Sequence, residues 1–323
     1  MATQTQKGKA FEYACLKALH DEIRTKTEVF IDHTTSFTNA MNFYEELPSS
    51  ITQKMDKGAN SAIRMLLKLE PLLLNPDNSL PLELTIQGDK EGMEGDVRDV
   101  LCIRQGNQWE IGLSCKHNHS AVKHSRLSEK INFGSKWFEK SCSSNYFEEI
   151  APIFERLRDL QKQNINWRDM EEKEILIYMP LLDAFVRELK FLDSKYPNEI
   201  PTKMVQYLLG RHDFYKIITD NKTKSTTLQA YNLFNTLNRQ STTVKALQKI
   251  PSLPLPTKLY DISYKNGSKN TVIVTCDEGW AFSFRIHNAS TKVEPSLKFD
   301  IQIAGMPPKL YTQIEPWEEK EVN

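Results

Sequence analysis

Two short segments joined by a four-residue turn constrain this chain more strongly than any other sequence feature. Residues 97–104 (VRDVLCIR) and 109–116 (WEIGLSCK) are strand-like runs, and the second alternates apolar and polar side chains as a half-buried β-strand does. The Gly106-Asn107 pair between them is favourable for a two-residue hairpin turn. The sequence therefore predicts an antiparallel hairpin.

The position of that turn decides which residues of the hairpin face each other. It places Asp99 opposite Ser114, and directly opposed residues project to the same face of a sheet. Lys116 follows Ser114 by one pleat repeat, so it shares this face. The other face is apolar and predicts a core surface formed by Val100, Cys102, Trp109, Ile111, Leu113 and Cys115.

An aspartate and a lysine at the open end of an apolar hairpin have a natural chemistry. The carboxylate of Asp99 can hold Mg²⁺, which polarises a phosphodiester, and Lys116 can orient or help deprotonate an attacking water. Because Mg²⁺ prefers several oxygen ligands, a second carboxylate is needed. A solvent-exposed salt bridge would produce the same pattern, and geometry alone does not choose between the two.

Residues 109–126 (WEIGLSCKHNHSAVKHSR) also suggest a zinc site and an H-N-H nuclease motif. Structural zinc needs four nitrogen or sulfur ligands at characteristic spacing, and no second pair accompanies Cys115 and His117. In the H-N-H nucleases the three letters are spread over a hairpin and a helix. The contiguous His117-Asn118-His119 is therefore a coincidence of spelling, and neither interpretation is favoured.

The 42 basic and 42 acidic residues balance, so the net charge gives no sign of a polyanionic partner. The distribution is uneven, with six basic against two acidic residues over 116–140 and seven against two over 211–249. Such segments can form a face for a phosphate backbone or an ordinary solvated surface. The polar N-terminus and the five scattered cysteines predict a cytoplasmic protein with reduced thiols.

The rest of the chain predicts an α/β (α+β) fold. Helical periodicity over residues 8–23 and 59–74 precedes a strand at 82–86 and the hairpin. A largely helical middle region follows, with one short strand at 174–179. Strands alternating with helices in the first half predict a sheet covered by helices.

Four segments together resemble one nuclease family. They are GKAFEYA (8–14), GDVRDVL (95–101), WEIGLSCKHNHSAVKHSRLS (109–128) and INFGSKWF (131–138). The order of helix, strand, Asp-led strand and Lys-ended strand resembles the PD-(D/E)xK nuclease superfamily, and the combination is similar to the HaeIII-type type II restriction endonucleases. The resemblance implies a restriction-endonuclease-like core, a mixed sheet flanked by helices. It also implies Mg²⁺-dependent hydrolysis of DNA phosphodiester bonds that leaves 5′-phosphate ends.

The resemblance implies roles for three residues. Asp99 would be the motif aspartate and a metal ligand, Lys116 the motif lysine, and Glu12 of the first helix a second metal ligand. The sequence departs from the superfamily at Ser114, where Glu or Asp is usual. Glu110 shares the face but lies about 13 Å away along a strand. The second ligand is therefore Glu12, or backbone and phosphate oxygens suffice.

The segment that follows Lys116 would meet the substrate. The candidate DNA contacts in this segment are Asn118, His119, Lys123, His124 and Arg126. Arg285, in the C-terminal part of the chain, is a further candidate. Arginine can read guanine, and lysine or histidine can hold phosphates. Arg285 lies in residues 281–287 (AFSFRIH), where alternate positions are apolar, and a plain exposed strand face explains this alternation equally.

The C-terminal part changes character after the proline-spaced segment at residues 250–256 (IPSLPLP). Its β-branched and aromatic residues, with turn signals between them, predict an antiparallel meander of three or four strands. We therefore expect residues 1–250 to form the nuclease core with a helical insertion. Residues 257–310 would form a β-rich segment that packs on this core or contacts DNA.

By resemblance, the substrate is double-stranded DNA with a short GC-rich palindrome, GGCC in the type enzyme. A palindrome is compatible with a homodimer or with two successive nicks, and a methyltransferase of the same specificity would be the genetic companion. Two alternatives stay open. One is a structure-specific repair or junction nuclease. The other is a DNA-binding protein with a decayed nuclease core, which Ser114 keeps possible.

Overall fold

The computed structural model describes residues 3–74, 80–88, 96–105, 108–117 and 123–317. The chain divides into two compact units. Unit 1 comprises residues 1–120, 210–253 and 309–323, and unit 2 comprises residues 121–209 and 254–308.

The helices and strands are numbered here in chain order. The α-helices are α1 (Gln4–Ile23), α2 (Thr35–Glu45), α3 (Ser49–Leu69), α4 (Phe133–Phe138), α5 (Ser144–Lys162), α6 (Met179–Lys195) and α7 (Ile200–Leu209). The strands are β1 (Val29–Ile31), β2 (Leu82–Ile86), β3 (Val100–Arg104), β4 (Trp109–His117), β5 (Lys123–Leu127), β6 (Phe214–Asp220), β7 (Ser225–Tyr231), β8 (Leu259–Tyr264), β9 (Thr271–Cys276), β10 (Ala281–Asn288), β11 (Leu297–Gly305) and β12 (Tyr311–Pro316).

Unit 1 is built on a seven-stranded mixed sheet in the order β1-β2-β3-β4-β6-β7-β12. The pairs β1/β2 and β4/β6 are parallel, and the other neighbours are antiparallel. Helices α1 and α3 contribute apolar side chains to one core with the strands of this sheet. The predicted mixed sheet flanked by helices is therefore confirmed.

Helix α1 covers the part of the sheet that carries the predicted site. Its first turn is closed by a capping box, in which Thr3 and Gln6 each accept a hydrogen bond from the other's backbone N–H. The apolar residues behind this cap recur at helical spacing and are buried: Ala10, Phe11, Ala14, Cys15, Ala18 and Leu19. This stripe packs on the apolar face of the sheet, and α1 contacts β4 directly.

Unit 2 is built on a five-stranded antiparallel sheet in the order β5-β11-β10-β9-β8. The predicted C-terminal meander is thus four strands, β8 to β11, and β5 extends it at one edge. One face of this sheet packs on helices through aromatic rings. Trp137 of α4 stacks near Phe284 with centroids 5.9 Å apart, and Phe185 of α6 contacts Phe299 at 5.1 Å.

The two units differ from the predicted division into residues 1–250 and 257–310. The helical middle region belongs with the C-terminal strands, because β5 pairs with β11 and the helices α4 and α6 pack on β10 and β11. The composition of residues 250–256 marks a linker. It does not reveal which sheet a distant helix packs against.

Two local predictions need correction. The strand predicted at residues 174–179 is wrong, because Glu174–Tyr178 forms a π-helical turn that continues into α6. The apolar run EILIYM is too short for its periodicity to distinguish strand from helix. The helix predicted over residues 59–74 begins earlier, at Ser49, and ends at Leu69, just before the backbone restriction that Pro71 imposes.

Among the described residues, the helices are either too short or too polar to cross a lipid bilayer.

Candidate active site

The hairpin β3–β4 has the predicted register. Val100 pairs with Leu113 and Arg104 with Trp109, which is the pairing that a turn at residues 106 and 107 requires. The turn itself lies outside the described residues. The N–H of Asp99 donates to the carbonyl of Leu113 at 2.7 Å, so Asp99 lies at the open end of the hairpin, as predicted.

Asp99 and Lys116 are in direct contact. The Oδ2 atom of Asp99 accepts a hydrogen bond from the N–H of Cys115 at 2.6 Å and one from Nζ of Lys116 at 3.2 Å. Burial alone would lower the pKa of Lys116, but the charge and hydrogen bond of Asp99 outweigh it and raise the pKa above its usual value. Lys116 is therefore an ammonium ion that can donate hydrogen bonds.

Glu12 of α1 is the second carboxylate of this cluster. It is buried, with 6% of its surface exposed, and its Oε2 lies 3.3 Å from Nζ of Lys9. Burial and the charge of Asp99 raise the pKa of Glu12 to about 8, against the opposing charges of Lys9 and Lys116. The structure thus brings together the three residues that the sequence singled out as catalytic.

The donor set fits a hard divalent cation that uses few protein ligands. Burial and the charge of Asp99 disfavour the ionised form of Glu12, and a cation bound between the two groups would offset both effects and favour the carboxylate. Among the described residues, no group of three or more His, Cys, Asp or Glu side chains is placed to hold a metal. Backbone, phosphate and water oxygens would therefore complete the coordination of an ion held by Asp99 and Glu12.

Ser114, where the superfamily usually carries an acid, is buried and lies opposite a lysine on the neighbouring strand. In the parallel ladder between β4 and β6, Ser114 is the register partner of Lys216. Sequence reasoning missed Lys216. The available signal was a charged residue within the otherwise apolar run FYKII at 214–218, which belongs to a buried strand.

Arg98 is a second feature that sequence reasoning missed. Its guanidinium donates to Asp96 at 2.7 Å and to Glu110 at 2.6 Å, so Glu110 is engaged in an ion pair with Arg98. A side chain at Gly112 would collide with it, because a Cβ there would lie 2.1 Å from Cδ of Arg98. Gly112 therefore lets Arg98 lie across the hairpin and tie the start of the Asp99 segment to β4.

The zinc interpretation of this region finds no support. His117 is buried, its Nδ1 lies 3.1 Å from Oγ1 of Thr219, and its ring packs near Phe11. Burial lowers the pKa of His117, so its ring is neutral at pH 7. His117 and Cys115 are parts of the packed interior behind the Asp99–Lys116 pair.

Three of the candidate DNA contacts lie on one face of the unit 2 sheet. His124, Asp300 and Arg285 form a row across β5, β11 and β10, and Arg126 stands in the next row beside two further basic residues, Lys298 and His287. Arg285 donates to Oδ2 of Asp300 at 3.0 Å. The side chains of Arg285 and His124 are each about half exposed.

The other candidates differ. Lys123 lies on the opposite face of β5, where its Nζ donates to the carbonyl of Tyr207 at 2.9 Å and lies over the ring of that residue. Burial lowers the pKa of Lys123 to about 8. Both observations favour a packing role over a phosphate contact. Asn118 and His119 lie outside the described residues.

A mixed sheet flanked by helices, with an Asp–Lys pair at the open end of a central hairpin and a helical glutamate beside it, defines a restriction-endonuclease-like core. Comparison with known proteins agrees. The model of the HaeIII restriction endonuclease family matches residues 8–307. The chain is 45% identical over 312 residues to the type II restriction enzyme HaeIII of Haemophilus aegyptius, covering 97% of this chain and 98% of that protein. No solved structure gives a significant match.

The chain therefore belongs to the HaeIII restriction endonuclease family. The predicted resemblance and the predicted class of enzyme, a site-specific deoxyribonuclease, are confirmed.

Proposed function

We propose that this protein cuts both strands of DNA at a short GC-rich palindrome, GGCC by analogy with its relative, using Glu12, Asp99 and Lys116. The observation that carries the proposal is the contact of Lys116 with Asp99, with the buried Glu12 close enough for the charge of Asp99 to raise its pKa. The proposed cofactor is Mg²⁺, held by Asp99 and Glu12.

When bound, the ion would supply positive charge to the scissile phosphodiester and lower the pKa of a nearby water. The chain's own residues have separate tasks. Asp99 and Glu12 provide oxygen ligands, and Asp99 also holds the ammonium of Lys116 in place. Because its pKa is raised, Lys116 would orient water and stabilise the negative charge that develops on the non-bridging phosphate oxygens, rather than accept a proton in the free enzyme.

Substrate contact would come from unit 2. We assign this role to the exposed basic residues His124, Arg126 and Arg285, which share one sheet face. Antiparallel strands can present such residues to a DNA groove, where arginine pairs with guanine and other cations hold phosphates. Asn118 and His119 remain candidates from the sequence.

A palindrome places one scissile bond on each strand, so a two-fold dimer or two successive nicks would complete the cut. The expected site of action is the cytoplasm. Host DNA there would be protected by a methyltransferase of the same specificity. The five free cysteines, all buried, are consistent with this location.

The test is incubation of supercoiled plasmid with the purified protein, in Mg²⁺ and in EDTA. We expect discrete fragments only with Mg²⁺, and sequencing of the ends should place the cuts within GGCC with 5′-phosphates. Duplex binding without cleavage would instead support a decayed nuclease. Cleavage of branched DNA alone would support a repair or junction nuclease.

A further inference from the structure

Asp300 lies at the centre of the basic face of the unit 2 sheet. The register pairs it with His124 of β5 on one side and with Arg285 of β10 on the other, so the three side chains project to the same face. The structure describes every residue of β5, β10 and β11, and within these strands Asp300 is the only acidic one. A negative charge here opposes the approach of a polyanion, so phosphate binding does not explain its presence.

The carboxylate of Asp300 is directed at Arg285. Its Oδ2 accepts a hydrogen bond from Nη2 of Arg285 at 3.0 Å, whereas its Oδ1 lies 3.7 Å from Nδ1 of His124, beyond hydrogen-bond distance. Only 8% of the Asp300 side chain is exposed, against 53% for Arg285, and its Oδ1 is buried. Asp300 therefore does not reach a base itself. It holds one end of a longer side chain that does.

The guanidinium of Arg285 keeps donors for a ligand. Its hydrogen bond to Asp300 is the only one it makes to a described residue. A guanidinium has paired N–H donors along two edges, so a single bond at Nη2 leaves one pair intact for O6 and N7 of guanine. Because one end of the group is already fixed, less side-chain freedom is lost when it binds, and the contact favours a base in one position.

We infer that Asp300 is a positioning residue for sequence specificity, which holds Arg285 so that its guanidinium pairs with O6 and N7 of one guanine of the recognition sequence. Arg285 makes the contact, and Asp300 acts through it. The carboxylate thus weakens binding to any duplex and favours one sequence. This inference rests on the proposed function, in which this sheet face meets DNA.

Substitution of guanine by 7-deazaguanine tests the contact at a single atom, because it removes the N7 acceptor and keeps base pairing. Single-turnover cleavage in Mg²⁺, with protein below saturation, is measured on a GGCC duplex and on duplexes with 7-deazaguanine at the outer or the inner guanine of both strands. Wild type should cleave one of the two substituted duplexes about 10-fold more slowly than the normal duplex. Arg285→Lys, which keeps the charge but not the paired donors, should lose this sensitivity at the same guanine.

The variants of Asp300 test its role directly. Asp300→Ala should lose the sensitivity to N7 at that guanine, and Asp300→Asn, which retains an accepting oxygen, should lose it in part. The affinity of Asp300→Ala for a duplex that lacks GGCC should equal or exceed that of wild type, because a negative charge has been removed. Thermal unfolding shows whether each variant is folded, and Asp300→Asn, which is nearly the same size as wild type, decides the matter if Asp300→Ala is not.

Two controls each remove an exposed charge away from this face. They are Asp159→Ala in α5, where Asp159 pairs with Lys162, and Lys222→Ala in the turn between β6 and β7. Both should keep the wild-type sensitivity to N7.

Wild-type sensitivity to N7 in the folded Asp300 variants would overturn the inference and leave the proposed function intact. Equal cleavage of all three duplexes by wild type would also overturn it, because Arg285 would then not read N7. A loss of affinity for every duplex with the sensitivity retained would assign Asp300 to the fold alone. If wild type does not cleave the GGCC duplex, the proposed function and this inference fail together.

Discussion

Glu70 shows how burial sets the behaviour of a single residue away from the catalytic cluster. It is fully buried at the end of α3, where its Oε1 accepts hydrogen bonds from Oη of Tyr215 at 2.6 Å and from the N–H of Asn238 at 2.5 Å. Burial raises its pKa to about 7, although both hydrogen bonds act in the opposite direction. The folded state therefore favours the protonated carboxyl.

The sign of the pH dependence follows from this shift. The contribution of Glu70 to the free energy of unfolding is fully present below pH 4.5, the ordinary pKa of a glutamate, and is lost as the pH rises through about 7. The shift corresponds to roughly 3 kcal/mol. We predict that Glu70→Gln, which keeps the accepting oxygen but does not ionise, gains stability relative to wild type between pH 5 and pH 8.

Urea unfolding at the two pH values measures this difference. The comparison with wild type cancels the titration of Glu12 and the other carboxyl groups. Glu46→Gln, at an exposed position after α2, is the control and should show no such pH-dependent gain. If the difference in stability between Glu70→Gln and wild type is the same at both pH values, the pKa of Glu70 is not raised in the folded protein.

At the scale of elements, the pairing of β5 with β11 creates the basic face of unit 2. The alternation of β5 sends Ser125 and Leu127 into the interior and leaves His124 and Arg126 exposed. We predict that Arg126→Ala weakens duplex binding by about 10-fold, as for the loss of a DNA-contacting arginine. Arg168→Ala is the control and should leave binding unchanged. Arg168 is also an exposed arginine of unit 2, but it lies in a 3₁₀ turn and not on this sheet face.

Titration of affinity against salt concentration checks the nature of the contact. If Arg126 holds a phosphate, the slope of log affinity against log salt should fall by about 0.9 in Arg126→Ala. If it reads a base, affinity should fall mainly for the cognate sequence. If Arg126→Ala binds as tightly as Arg168→Ala, both to cognate and to non-cognate DNA, this face of the unit 2 sheet is not part of the DNA interface.

The elements also show what could be predicted from the sequence. The register of the β3–β4 hairpin follows from one turn and from alternation within about 20 residues, so local rules were sufficient. The partner of β5 lies far along the chain in β11, and KHSRL alone does not specify it. Lys216 could not be predicted as the neighbour of Ser114 for the same reason. The two residues are far apart in the sequence and become neighbours only through the parallel pairing of β4 with β6.

At the scale of the whole molecule, the proposed catalytic residues belong to unit 1 and the proposed DNA contacts of the sheet face belong to unit 2. The hairpin register singled out Asp99 and Lys116, and the resemblance added Glu12, because all three lie in local motifs; the structure brings them together. The division into units was not predictable from composition, since each unit combines distant segments. The net charge of zero gives no sign of the basic sheet face, because acidic residues elsewhere in the chain balance its charge.

The most direct test of the account is single-turnover cleavage of a GGCC duplex by wild type, Lys116→Ala and Lys222→Ala in Mg²⁺, with duplex affinity measured in parallel in EDTA. Lys116→Ala should cleave at least about 1,000-fold more slowly while binding DNA nearly as well, since the lost ammonium acts mainly in the transition state. Lys222→Ala should match wild type in both measurements. Cleavage by Lys116→Ala at the wild-type rate would contradict the assignment of the catalytic centre to Glu12, Asp99 and Lys116.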